Sequence, residues 1–213
     1  MALIRNSSTH GEPPDLGGES PEGGGYGEYA SEYIFHNYLI EHITPVKTVR
    51  NVYVGDEGSA STETDLVVLT RKGIFAVESK DYRGSVSGCI TDERWEHMYG
   101  KQKFSFYSPV LQNRTHISAL SRMLDVGRDK FISYIVFSNL CWISENLMES
   151  SVKGCRVMNR NSLLKNARKD LKSLPDIFTD DELSLLEKKL REAADRDETY
   201  KLEHIGMCHG SKI

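Results

Sequence analysis

Residues 64–80 read Thr-Asp-Leu-Val-Val-Leu-Thr-Arg-Lys-Gly-Ile-Phe-Ala-Val-Glu-Ser-Lys. Two apolar runs, Leu66 to Leu69 and Ile74 to Val77, flank a polar turn ending in glycine, which is the pattern of a β-hairpin. With Arg71 and Lys72 as a two-residue loop, or Thr70 to Gly73 as a four-residue one, Leu69 pairs with Ile74 and Asp65 falls opposite Glu78. Side chains alternate along a strand, so Asp65, Glu78 and Lys80 share one sheet face while Val77 and Ser79 take the other. A slip of one residue would send the two carboxylates to opposite faces. Like charges set opposite each other destabilise a strand pair by up to about 1 kcal/mol. A divalent cation between them turns that cost into a gain.

Upstream, Tyr26 to His42 has a helical period, with Ala30, Ile34 and Tyr38 on one line and Phe35 and Leu39 on the next. Glu28 and Glu32 extend the second line. Acids suit the first turn of a helix, yet a carboxylate on a packing seam is costly to desolvate, so both are candidates for a metal or catalytic role. Thr44-Pro45 ends this helix, and Thr48 to Val54 reads as the first strand.

Downstream, Tyr82-Arg83-Gly84 breaks the chain. Ser85 to Ile90 and Trp95 to Tyr107 read as further strands with a turn at Gly100-Lys101. Pro109 opens a helix whose stripe is Val110, Ile117, Leu120 and Leu124, and Phe131 to Phe137 has the composition of a buried strand. Val157 suggests a short edge strand and Leu163-Leu164 a short helix. Thr179-Asp180-Asp181-Glu182 is a capping box at the start of a helix with Leu183, Leu186 and Leu190 on one seam.

These elements predict a flexible, Gly- and Pro-rich leader over 1–25, a single domain over 26–194 and a polar tail over 195–213. The domain divides into a core over 26–137 and a helical extension over 138–194. Of the 213 residues, 38% are hydrophobic and 27% charged, and no apolar run approaches the length of about 18 residues that a bilayer span needs. A protein without membrane segments, placed in the cytoplasm, is expected. Cys89, Cys141, Cys155 and Cys208 form no C-x-x-C pair, which points away from a zinc ribbon and a dense disulfide framework. His204, Cys208 and His209 supply three possible zinc ligands and no fourth nearby, so no zinc site is expected there. A net charge of −4 excludes coating of nucleic acid by bulk electrostatics. It leaves open an enzyme that meets a phosphate backbone through a local basic strip and a bound metal.

Asp65, Glu78 and Lys80, with a glutamate from the first helix, suit metal-assisted hydrolysis of a phosphodiester. Mg²⁺ or Mn²⁺ held by Asp65, Glu78, Glu32 or Glu28, and the Ser79 carbonyl, would polarise a phosphoryl oxygen and acidify a water. Lys80 would orient that water or offset transition-state charge. Lys101, Lys103, Arg114 and His116 are candidates for contact with a nucleic-acid backbone, with Phe104, Phe106 and Tyr107 beside them as a stacking cluster.

The stretch from Thr64-Asp65 through Gly73-Ile74-Phe75-Ala76-Val77-Glu78-Ser79-Lys80-Asp81-Tyr82-Arg83-Gly84, then Trp95, then Pro109-Val110-Leu111-Gln112-Asn113 with His116 and Leu120, resembles the nuclease-related domain (NERD) family. That family lies within the D/E-x-K restriction-endonuclease-like superfamily, and the resemblance runs from about Tyr26 to Phe137. It implies an α/β fold with a mixed central sheet flanked by helices in αβββαβ order. It also implies metal-dependent nuclease activity, on DNA in preference to RNA, with Asp65, Glu78, Lys80 and Gln112 in the site. The family's Gly-Glu pair usually stands directly ahead of the helix's apolar residues. Here Gly27-Glu28 comes one turn earlier and Ser31-Glu32 aligns best with Leu39, so Glu32 is preferred and Glu28 is the alternative. Double-strand cutters often pair two such sites, which makes a homodimer compatible. The competing function is a catalytically silent nucleic-acid or protein-binding module that keeps the nuclease fold.

Overall fold

The computed structural model describes residues 26–39, 45–55, 62–149 and 154–195. The leader, the tail segment with His204, Cys208 and His209, and the C-terminal end of the first predicted helix lie outside them. In chain order the elements are α1 (Tyr26–Leu39), β1 (Val46–Val54), β2 (Thr62–Thr70), β3 (Gly73–Lys80), β4 (Gly84–Ser87), β5 (Arg94–Tyr99), β6 (Gln102–Tyr107) and α2 (Pro109–Leu124). Then follow β7 (Phe131–Phe137), β8 (Cys141–Ile143), α3 (Glu145–Glu149), β9 (Cys155–Asn159), α4 (Leu163–Ser173) and α5 (Asp180–Ala194).

The β2–β3 hairpin closes through Arg71 and Lys72, and its ladder pairs Thr70 with Gly73, Leu69 with Ile74 and onward to Leu66 with Val77. One side chain secures the turn. The Thr70 hydroxyl donates to the Gly73 carbonyl at 2.8 Å and accepts from the Lys72 N–H at 3.2 Å. The hairpin lies inside a five-stranded sheet of order β1-β2-β3-β7-β9, antiparallel over its first three strands and parallel from β3 to β7 to β9. β9, which holds Val157, lies at one edge and β1 at the other.

Both faces of this sheet are covered, which is why the two hairpin strands are apolar at successive positions rather than at alternate ones. On one face Leu66, Val68, Phe75, Val77, Tyr134 and Val136 pack with Ile34 and Phe35 of α1 and with Leu163, Ala167 and Leu171 of α4. The rings of Phe35 and Phe75 lie 5.6 Å apart. On the other face Val67, Leu69, Ile74 and Ala76 pack with Leu120 and Leu124 of α2 and with Leu183, Leu186 and Leu190 of α5. Pro109 occupies the start of α2, and the Thr179–Glu182 capping box opens α5. The result is an α/β fold with a mixed central sheet between helices, consistent with a restriction-endonuclease-like core. No helix among the described residues is long and apolar enough to cross a membrane.

Strands β4, β5 and β6, inserted between β3 and α2, form a second sheet of order β6-β5-β4-β8. Trp95, fully buried, joins Val86, Cys141 and Ile143 to Ile135 and Phe137 of β7, so the insertion shares a core with the C-terminal half of the central sheet. The chain enters this sheet at Gly84, whose φ is +89° and where a Cβ would lie 2.1 Å from the Met98 carbonyl oxygen. Neither backbone can yield, so the break at Tyr82-Arg83-Gly84 demands glycine. Gly84→Ala is expected to lower stability by about 2 kcal/mol, read as a lower urea midpoint with an unchanged slope.

Candidate active site

The β2–β3 ladder stops at Leu66–Val77, one pair short of Asp65 and Glu78. Beyond it β2 continues against β1, with Thr64 opposite Val52 and Glu63 opposite Tyr53, while β3 continues against β7, with Glu78 opposite Ile135 and Lys80 opposite Phe137. The two strands therefore part at the carboxylates. Asn51 of β1, across from Asp65, has a φ of +53°, a left-handed conformation that asparagine tolerates better than most residues. Asp65 closes the gap with its side chain, accepting a hydrogen bond from the Ser79 N–H at 2.7 Å.

Alternation places Asp65 with Val67 and Leu69, and Glu78 and Lys80 with Ile74 and Ala76, on the α2 side of the sheet. Glu78 is 1% exposed. Its Oε1 accepts a hydrogen bond from Lys80 Nζ, and its Oε2 lies 3.2 Å from His116 Nε2. Burial alone would raise the Glu78 carboxyl; the contact with His116 and the charge of Lys80 outweigh it and hold the group below the usual carboxylate range. For Lys80 the order is similar. Burial disfavours the ammonium, but Glu78 and, more weakly, Asp65 restore it, so the lysine is held protonated above its ordinary value.

His116, a candidate backbone contact in the sequence, takes a different place. Rather than facing a phosphate backbone, it is 4% exposed, with Nδ1 bonded to the Thr62 hydroxyl and Nε2 toward Glu78. Asn113 is also inward, donating to the Ala76 carbonyl and to Ser133 Oγ, each at 2.8 Å. The signal was present in the spacing: Asn113, His116, Leu120 and Leu124 form one buried line of α2. Gln112 is half-buried one turn ahead of His116, on the same helix face.

The first helix does not deliver Glu32 to this place. Glu32 accepts from the Thr48 hydroxyl at 2.8 Å and pairs with Arg50 Nε at 2.8 Å, both on β1. The physical reason is alternation. α1 packs against Phe75 and Val77, whereas Glu78 projects toward α2, so the middle of α1 lies across the sheet from the site. Only its first turn approaches the end of β3: a Cβ on Gly27 would come within 2.6 Å of Ser79 Oγ and 3.2 Å of Arg160 Nη2. Glu28 follows in that turn, and its side chain lies outside the described residues. The basic candidates are dispersed as well. Lys101 lies in the β5–β6 turn and Lys103 pairs with Glu96 at 2.6 Å. Arg114 is on the exposed side of α2, and six strand residues separate Lys101 from the end of β6 by about 20 Å. Phe106 packs on Trp95 and Tyr82, while Phe104 and Tyr107 remain half exposed.

The family model of the nuclease-related domain matches residues 26–138. The chain belongs to that family. The match starts at the first described helix and ends just past β7, so it spans the splayed strands, the inserted sheet and α2 of this nuclease-related domain. An uncharacterized Bacillus anthracis protein, pXO1-01, is 28% identical over 162 residues, covering 76% of this chain and 73% of its own. A solved structure, that of AF1548, a protein of unknown function, aligns over 86% of this chain and 100% of its own with 15% identity and a TM-score of 0.34. A likeness at that level says nothing of chemistry.

The Gly27–Ser79 approach yields a prediction of sign. Gly to Ala inside a helix ordinarily stabilises by about 0.5–1 kcal/mol. In this domain Gly27→Ala should destabilise, and adding Ser79→Ala, which removes the opposing oxygen, should recover the loss in thermal melts.

Proposed function

We propose that this nuclease-related domain hydrolyses nucleic-acid phosphodiester bonds, DNA in preference to RNA, with Mg²⁺ or Mn²⁺ at Asp65 and Glu78. The observation that carries the reading is the parting of β2 and β3, which leaves two carboxylates and a lysine on one face at the point where pairing stops. The donor set fits a hard divalent ion. Glu78 Oε2 is buried with the His116 contact alone among the described residues, and Asp65 is held in place through Ser79. Among the described residues no three His, Cys, Asp or Glu side chains gather as a metal cage; an ion resting on two carboxylates and the Ser79 carbonyl would keep most of its waters, as Mg²⁺ does. When bound, such an ion supplies Lewis acidity toward a phosphoryl oxygen and a more acidic water.

The chain's own groups divide the remaining work. Lys80 Nζ, anchored on Glu78, offers donors and positive charge to a non-bridging phosphate oxygen or to the attacking water. Asp65, tethered to the Ser79 N–H, fixes the second carboxylate without spending a side-chain partner. Glu28, in the turn beside Ser79, takes the place of Glu32 as the helix carboxylate, and Gln112 extends the site along α2. Arg114, Lys101 and Lys103 are the exposed cations for a phosphate backbone, and a homodimer would pair two sites for scission of both strands. Free thiols at Cys89, Cys141 and Cys155 suit a reducing cytoplasm.

Purified protein should nick plasmid DNA when Mg²⁺ or Mn²⁺ is added. Glu78→Gln or Lys80→Ala should slow cutting by at least about a hundredfold with the melting transition retained; cutting by Glu78→Gln at the wild-type rate would remove the assignment. A second reading, a silent binding module, draws on the near-complete burial of Glu78 against Lys80 and His116. Calorimetry separates the two. Metal binding that depends on Asp65 and Glu78 supports the enzyme, and its absence supports the module.

A further inference from the structure

Two buried polar atoms face each other at the centre of the site. Glu78 Oε2 and His116 Nε2 are 3.2 Å apart, an ion-pair contact, and neither atom has a further partner among the described residues. The side chains are 1% and 5% exposed, so each atom depends on this one contact, and a buried polar group with a single long contact is incompletely satisfied. The other ring nitrogen is already engaged, since His116 Nδ1 bonds the Thr62 hydroxyl. That is how a metal-ligating imidazole is oriented, with one nitrogen fixed by an outer partner and the other presenting its lone pair. The separation agrees with this. Neighbouring ligands around an octahedral ion at 2.0–2.2 Å lie about 3 Å apart, so one ion can meet both atoms, while Asp65 would have to move to join them, since no three such side chains gather among the described residues.

We propose that His116 Nε2 is a direct ligand of the divalent ion, making the site a carboxylate and imidazole site that selects Mn²⁺ or a similar transition metal over Mg²⁺. The selectivity follows from ligand chemistry. Carboxylate, carbonyl and water suit Mg²⁺, while an imidazole nitrogen strengthens binding of first-row transition ions. Thr62, from the start of β2, becomes a positioning residue that sets which nitrogen faces Glu78. The inference rests on the reading that Asp65 and Glu78 bind a divalent ion.

Pulsed EPR of Mn²⁺ bound to the full chain tests it without reference to turnover. The wild type should show ¹⁴N modulation from a directly bound nitrogen. His116→Gln should lose it and bind Mn²⁺ at least about tenfold more weakly, with a smaller change for Mg²⁺. Wild-type protein that binds Mn²⁺ with no nitrogen modulation, or modulation that persists in His116→Gln, overturns the proposal. Should that variant fail to melt cooperatively, ¹⁵N labelling of histidine alone in the wild type decides: the modulation must change to the ¹⁵N pattern, and an unchanged pattern overturns the assignment. The two readings fail separately. If Asp65→Asn and Glu78→Gln leave Mn²⁺ affinity unaltered, the metal-dependent function falls; if they weaken it and no nitrogen is bound, only the role of His116 falls.

Discussion

The pairing of Leu66 with Val77 is the last rung of the β2–β3 ladder, and the rest of the site depends on the ladder ending there. One more rung would hold Asp65 and Glu78 side by side in a regular sheet, both backbones satisfied by each other and both carboxylates repelling. Instead the backbone of Ser79 is satisfied by the Asp65 side chain. Past that rung each strand keeps only the outer neighbour it already has, β2 on β1 and β3 on β7. A hydrogen bond from a main-chain N–H to a carboxylate thus does two things. It offsets the loss of a ladder bond, and it fixes a charged side chain beside a buried one.

The electrostatic problem this creates is solved locally. A carboxylate as enclosed as Glu78 would cost several kcal/mol if left alone. Lys80 comes from the same strand two residues on, so strand periodicity supplies it without any tertiary accident. His116 comes from α2, and its presence depends on how that helix crosses the sheet. Asn113 fixes the crossing by bonding the Ala76 carbonyl and Ser133, one on each of two adjacent strands. Burial, counter-charge and helix placement are therefore coupled: shifting α2 would move the imidazole and leave Glu78 with the lysine alone.

The inserted sheet has a supporting part in this. It begins at Gly84, four residues after Lys80, and its buried Trp95 shares a core with Phe137, the residue paired with Lys80. Rigidity at the end of β3 thus comes partly from a segment that carries none of the site's charges. That division suits a scaffold in which the reactive groups are few and their placement has to be set from outside.

Much of this was legible in the residues themselves. The register of the hairpin followed from two apolar runs and a loop of even length, because a strand's period of two leaves only two faces to choose between. The Pro109 helix start, the Thr179 cap and the Gly84 break were readable because each reflects local backbone chemistry. What a linear reading did not yield was the side of the sheet on which each helix packs. Glu32 and Glu28 differ by one helical turn and are alike in composition, yet the alternation of β3 sends Glu78 to the α2 side while Glu32 is held by Thr48 and Arg50 on the α1 side. His116 read as a candidate contact for a nucleic-acid backbone, and the crossing of α2 turned its line of Asn113, Leu120 and Leu124 inward. The sequence by itself determined the hairpin, its register and the carboxylates it carries. Tertiary structure decided which residues meet them, because that depends on packing between elements distant along the chain.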